Sequence, residues 1–212
     1  MADATALDAA ATRAWVDAFV AELAAEREAL GDLDRKSGDG DYGNNLKTAL
    51  DKAAAGLATA DASAPGSAFT ALSTAFLGTG GTSGPLYGMW FRAIAALAEE
   101  RGALDLAALA EGTAAGLASV QRLGQAEVGD KTMVDAMAPA VAALGTVAEA
   151  GEGLDVGLAA AARAAREGAD GTEAMIARRG RASYVGEVAR GVVDPGAATV
   201  ALFFETAPGI AS

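Results

Sequence analysis

Residues 83–101 read SGPLYGMWFRAIAALAEER, and this stretch decides the fold class. Leu86, Trp90, Ile94 and Leu97 recur three or four positions apart, which puts them on one face of an α-helix. Gly102 follows Arg101 as a helix stop. A single apolar stripe of this kind must be covered by other helices packed against it.

The same period continues in both directions. A first helix is expected from about Ala6 to Leu30, with Trp15, Phe19, Val20, Leu23 and Leu30 in helical register and Gly31 as its stop. Others are expected over about 43–60, 66–77, 104–123, 132–150 and 154–179, the last with a break near Gly168 to Gly171. Thr199, Val200, Leu202, Phe203 and Phe204 would suit a strand, but no second strand-like run exists to pair with them, so residues 196–205 read as a helix. With 58 alanines and only 5% aromatic residues, strand formers are scarce. The expectation is an all-α bundle of eight antiparallel helices, with residues 1–212 forming one domain.

Composition closes several function classes. Without cysteine there is no disulfide, thiolate nucleophile or Cys zinc site; without histidine, the commonest general base and zinc ligand are missing. Asp and Glu number 28 against 16 Lys and Arg, a net charge of −12 that repels nucleic acid and anionic membrane. No apolar run is long enough to span a bilayer, and Met1 to Ala11 is acidic where a secretory leader would be basic. A cytoplasmic protein is expected.

Chemistry concentrates in four connections, which can meet because alternate connections of an antiparallel bundle lie at one end. In DRKSGDGDYGNN (34–45), Asp34, Asp39 and Asp41 supply three carboxylates between glycines, a donor set suited to a hard divalent cation. The spacing is not that of an EF-hand, and Mg²⁺ completed by water and phosphate oxygens fits better than Ca²⁺. A solvated turn capped by Asn44 is the plainer reading. In GTGGTSGP (78–85), free N–H groups at a helix start could take an anion, or Ser83 could simply cap the helix. Neither the P-loop nor the dinucleotide-binding pattern is met. In GDKTMVD (129–135), Thr132 and Asp135 make a capping pattern that leaves Gly129-Asp130-Lys131 unexplained. In RRGRASY (178–184), Arg178 and Arg179 would complement the end of the seventh helix, while Arg181 lies in the loop, free to clamp a phosphate. Asp194-Pro195-Gly196 then begins the last helix.

In this order the four segments resemble the nucleotide-binding L subunit of dihydroxyacetone kinase, over nearly the whole chain. The resemblance implies a barrel of eight antiparallel helices holding ADP or ATP and two Mg²⁺ in the loops at one end. Asp34, Asp39 and Asp41 would be metal ligands. Tyr42, Gly43, Asn44, Asn45, Thr82, Ser83, Gly124, Thr132, Met133, Arg181, Asp194, Pro195 and Gly196 would surround the nucleotide. Two Mg²⁺ more than neutralise three carboxylates, which admits phosphates to an acidic protein. Arg181 would stabilise charge on the transferring group, a catalytic role.

The resemblance further implies a partner K subunit that carries the triose, and a separate phosphohistidine subunit that rephosphorylates bound ADP within a phosphotransferase system. A homodimer remains open. Two departures stand out: Tyr42 replaces the family's usual His, and Arg35-Lys36-Ser37-Gly38 replaces a less basic run. A paralogue acting on another short ketose with exchangeable ATP, or an ADP-loaded regulatory interaction protein, is the alternative.

Overall fold

The computed structural model describes residues 5–207 and Gly209; the ends of the expected 1–212 domain, residues 1–4, 208 and 210–212, lie outside the described residues. The helices are α1 (Ala9–Ala25), α2 (Arg27–Ser37), α3 (Tyr42–Thr59), α4 (Ser67–Leu77), α5 (Ser83–Arg101), α6 (Leu106–Gly124), α7 (Val134–Glu149), α8 (Leu154–Gly171) and α9 (Pro195–Glu205). Two-residue strands β1 (Ala6–Leu7) and β2 (Leu104–Asp105) pair antiparallel, Ala6 opposite Asp105. None of the described helices is long and apolar enough to cross a membrane.

The all-α expectation holds, and the difference in helix count has a local cause. Gly31 does not stop the first helix. The backbone bonds run through the α1–α2 junction, Glu26 N to Glu22 O and Leu30 N to Glu26 O, both 2.9 Å. The chain therefore continues as one kinked rod to Ser37, and eight rods remain. Gly31 instead faces Gly43 on α3, where a Cβ on Gly43 would come within 3.3 Å of the Gly31 Cα. Asp34 thus belongs to the last turn of α2 rather than to a loop.

Other boundaries move for similar reasons. Asp8 caps α1 by accepting from Ala11 N at 2.8 Å, and Asp105 caps α6 by accepting from Ala108 N at 2.7 Å. The expected helix starts at Ala6 and Leu104 are therefore short strands. The seventh expected helix ends at Gly171, not Arg179, and residues 172–194 form a strap of three short 3₁₀ turns (Thr172–Ala174, Arg181–Tyr184, Gly186–Ala189) and bends. Arg178 and Arg179 consequently lie beyond the helix whose end they were expected to complement.

Successive helices from α2 to α9 pack on one another, and α9 returns against α2 and α1 to close the ring. The core is aromatic at its centre. Phe203 of α9 stacks on Trp15 at 4.6 Å between centroids and meets Trp90 edge-on at 4.9 Å, while Trp15 Nε1 donates to Phe203 O at 2.9 Å. α9 is buried on nearly every side, from Pro195 to Phe204, as a helix apolar all round must be. Between α5 and α6, a Cβ on Gly116 would overlap Trp90 Cδ1 and lie 3.1 Å from the Trp90 Cα and carbonyl oxygen. Gly116→Ala is expected to cost roughly 1–3 kcal/mol by forcing the two helices apart. Urea unfolding checks this, and a wild-type midpoint would mean that α6 shifts freely.

Candidate functional site

The end of α2, the starts of α3, α5 and α9, the segment leading into α7 and the strap around Arg181 surround one cleft of about 280 Å³. Asp34, Asp39, Asp41, Tyr42, Asn45, Thr82, Ser83, Thr132, Met133, Arg181, Asp194, Pro195 and Gly196 all line it. Gly43, Asn44 and Gly124 do not. Gly43 packs on Gly31, Asn44 is exposed, and Gly124 sits against Leu86. Helical spacing explains the split on α3, where Tyr42 and Asn45, three apart, share a face that Gly43 and Asn44 leave.

Asp34 is buried, and Tyr42 N donates to its Oδ2 at 2.9 Å. Burial raises its pKa above the ordinary carboxylate value, hydrogen bonds from Tyr42 and Gly40 N–H oppose this, and Asp39 and Asp41 add like-charge repulsion. Asp39 and Asp41 are exposed, and Arg181 Nε pairs with Asp39 Oδ2 at 3.0 Å. Among the described residues no three acidic side chains are drawn together into an ion cage. The donor chemistry still fits a hard divalent cation: three carboxylate groups line one cleft, with Asp34 buried and repelled by the other two. Arg35 is turned away to Asp32 on its own helix.

The Tyr42 phenol points into the core. Its hydroxyl lies 2.7 Å from Thr199 Oγ1 and 3.1 Å from the Tyr87 hydroxyl, and Tyr87 donates to Gly196 O at 2.7 Å. Burial pushes both phenols up, so they stay protonated.

Neither expected alternative cap forms. Asp41 precedes α3 and Thr82 precedes α5, neither making a side-chain capping bond, while Asn44 and Ser83 are helical residues. The start of α5 therefore turns a positive dipole end to the cleft. The Thr132–Asp135 pattern does form: Asp135 Oδ2 accepts from Thr132 N at 2.8 Å, and Thr132 Oγ1 accepts from Val134 N at 3.2 Å. Asp194 caps α9, accepting from Ala197 N at 2.8 Å. Burial pushes its carboxyl up to about 7, against the Ala197 and Gly196 N–H groups and the charge of Lys131.

Ser37, Gly81, Lys131, Arg179, Gly180 and Ala182 complete the lining. Lys131 is 1% exposed, with Nζ 2.6 Å from the carbonyl oxygens of Thr172 and Val192. Its one sequence signal was the Gly-Asp-Lys prefix that capping left over.

Fold and cleft together define an all-α domain whose functional groups, carboxylates, hydroxyls, helix starts and a guanidinium, are gathered at one end of a closed helical ring. The DAK2 domain family matches residues 36–208, and the chain belongs to that family. It is 39% identical over 176 residues to the PEP-dependent dihydroxyacetone kinase, ADP-binding subunit DhaL, of Escherichia coli K12, covering 82% of this chain and 84% of that one. To the L-erythrulose 1-kinase of Mycolicibacterium smegmatis it is 35% identical, across 87% of this chain and 33% of that one. The crystal structure of the dihydroxyacetone kinase from C. freundii in complex with AMP-PNP and Mg²⁺ superposes with a TM-score of 0.70 at 29% identity, covering 92% of this chain and 33% of that one. The chain thus spans a third of the solved kinase and most of the bacterial subunit.

Proposed function

We propose that this chain is a single-domain, cytoplasmic nucleotide-binding subunit of a dihydroxyacetone kinase, holding ADP with Mg²⁺ and passing a phosphoryl group to dihydroxyacetone carried on a separate K subunit. The observation that carries this reading is the convergence of four segments, distant in sequence, on one cleft. The kinase subunit names of its relatives and the AMP-PNP and Mg²⁺ of the solved neighbour support it.

Asp34, Asp39 and Asp41 would hold two Mg²⁺, which when bound supply charge neutralisation to the phosphates. The α5 start, with Thr82 and Ser83, and the α9 start, with Asp194, Pro195 and Gly196, would hold the rest of the nucleotide beside Asn45, Thr132 and Met133. Arg181 would orient and stabilise the group in transfer. Tyr42 acts from behind, fixing Asp34 through its N–H and α9 through Thr199.

A partner is expected to dock over this end. Leu77, Leu123, Val128, Tyr184, Val185 and Val188 are exposed at the cleft end of the bundle, an apolar collar that a K subunit would cover. A phosphohistidine donor would recharge ADP there in turn, since this chain has no histidine. A homodimer would have to leave that collar free. The similarity to erythrulose kinases favours a second reading, a four-carbon ketose as acceptor with exchangeable ATP.

Chromatography of the nucleotide released on denaturing the purified protein, with metal analysis of the same sample, tests the proposal. Stoichiometric ADP with Mg²⁺ is expected. An empty protein that takes up added ATP would favour the exchanging kinase, and one that binds neither would overturn both.

A further inference from the structure

The strap of residues 172–194 leaves where α8 ends and returns where α9 begins, and it carries Arg181 out over the cleft. Its base is tied in several places. Asp194 N donates to Thr172 Oγ1 at 2.8 Å, Gly191 N to Glu173 O at 2.8 Å, and Arg178 N to Asp130 O at 3.0 Å. At the centre is the Lys131 ammonium, donating at 2.6 Å to Thr172 O on one limb and Val192 O on the other. Thr172 O lies just past α8, where the dipole favours a cation, and it also accepts from Met175 N at 3.1 Å within its own 3₁₀ turn.

Burying a lysine is costly and rare. Lys131 also takes a left-handed backbone conformation, φ 60°, which non-glycine residues avoid unless their surroundings impose it. Both costs are met at a residue whose ammonium bridges the two limbs. Outward of Arg178 most of the strap is exposed, Ala189 being buried, and it is held by local turns, the Arg181–Asp39 and Arg179–Asp130 pairs and the packing of its second and third 3₁₀ turns on α2. The base sets where this outer part, with Arg181, is carried.

We propose that Lys131 is a positioning residue: it clamps the two limbs of the strap and so fixes Arg181 over the cleft. The effect on catalysis rests on the proposed role of Arg181; the clamp itself does not. Without the ammonium the two carbonyls lose a shared donor, and the loop gains conformations at its base.

Hydrogen exchange on the full chain, wild type against Lys131→Met, tests the clamp. Strap amides in 175–190 are expected to exchange about tenfold faster while helix amides keep their protection. In the reconstituted kinase, phosphoryl transfer should fall about 10- to 100-fold, with ADP affinity changed by less than about threefold. In the Arg181→Ala background, Lys131→Met should slow transfer by no more than about twofold, since the group it positions is gone. Lys131→Gln keeps a terminus able to bond one carbonyl and should give smaller shifts of the same kind; it carries the test if the methionine variant does not fold.

Unchanged strap exchange would overturn the clamp, and additive losses in the double variant would overturn its action through Arg181. A wild-type chain that transfers nothing would sink the kinase reading, while hydrogen exchange would still uphold or overturn the clamp.

Discussion

Asp39→Asn and Asp41→Asn are each expected to abolish retention of Mg²⁺ with nucleotide while leaving the helical fold intact. Asparagine matches aspartate in size and removes one negative charge, so the change reads charge rather than packing. Both side chains are exposed, and the one described bond that Asp39 makes to the backbone, from Asp41 N at 3.3 Å, is open to an amide oxygen as well. Unfolding free energy should stay within about 0.5 kcal/mol, as for surface changes generally. Binding should lose roughly 2–5 kcal/mol, the usual cost of removing one member of a desolvated charge pair.

The two variants differ usefully. Asp41→Asn keeps the Arg181–Asp39 pair, whereas Asp39→Asn also releases Arg181, so only the latter should reduce transfer beyond its effect on binding. Asp34→Asn is the less clean probe, because Asp34 accepts from Tyr42 N and is buried at the α2–α3 corner. Isothermal titration with ADP and Mg²⁺ measures the effect, and wild-type affinity in either exposed variant would remove these carboxylates from the metal site.

The helices were readable because an apolar face recurs every turn, and even the ambiguous 196–205 run was decided by the lack of any partner strand. What misled was residues with two uses. Gly31 looks like a stop, yet it lies under Gly43 across a turn, where a Cβ on Gly43 would come within 3.3 Å of the Gly31 Cα, and only the closeness of α2 and α3 shows that contact. Two-residue strands have no period, so Ala6–Leu7 and Leu104–Asp105 could not be read before they were seen paired. The α8 overrun followed from Met175 to Arg179, which have helical composition; Gly168 and Gly171 had marked the true end.

In the site, motif membership located the walls but not the direction of each side chain. Tyr42 lines the cleft yet sends its hydroxyl to Thr199, and Lys131 is hidden because lysine is ordinarily read as solvent-facing.

Arg181→Ala is expected to slow phosphoryl transfer on the order of 100-fold or more while ADP affinity moves by only a few-fold. Its side chain is mostly exposed, and its described ion-pair partner is Asp39, itself exposed, so the pair contributes little to stability. An arginine kept at that place for the fold would be a poor investment. Under the proposed function its value would lie in a fork of donors that can follow charge developing on a phosphoryl group, which grows between ground and transition state. For that reason the loss should fall on kcat rather than on nucleotide binding. Arg181→Lys separates charge from geometry: lysine restores the cation but not the planar fork, and should recover only a small part of the rate. Turnover of the reconstituted enzyme beside ADP titration decides the matter. Unaffected turnover would remove Arg181 from the chemistry, and equal losses in turnover and ADP affinity would make it a ground-state nucleotide contact instead.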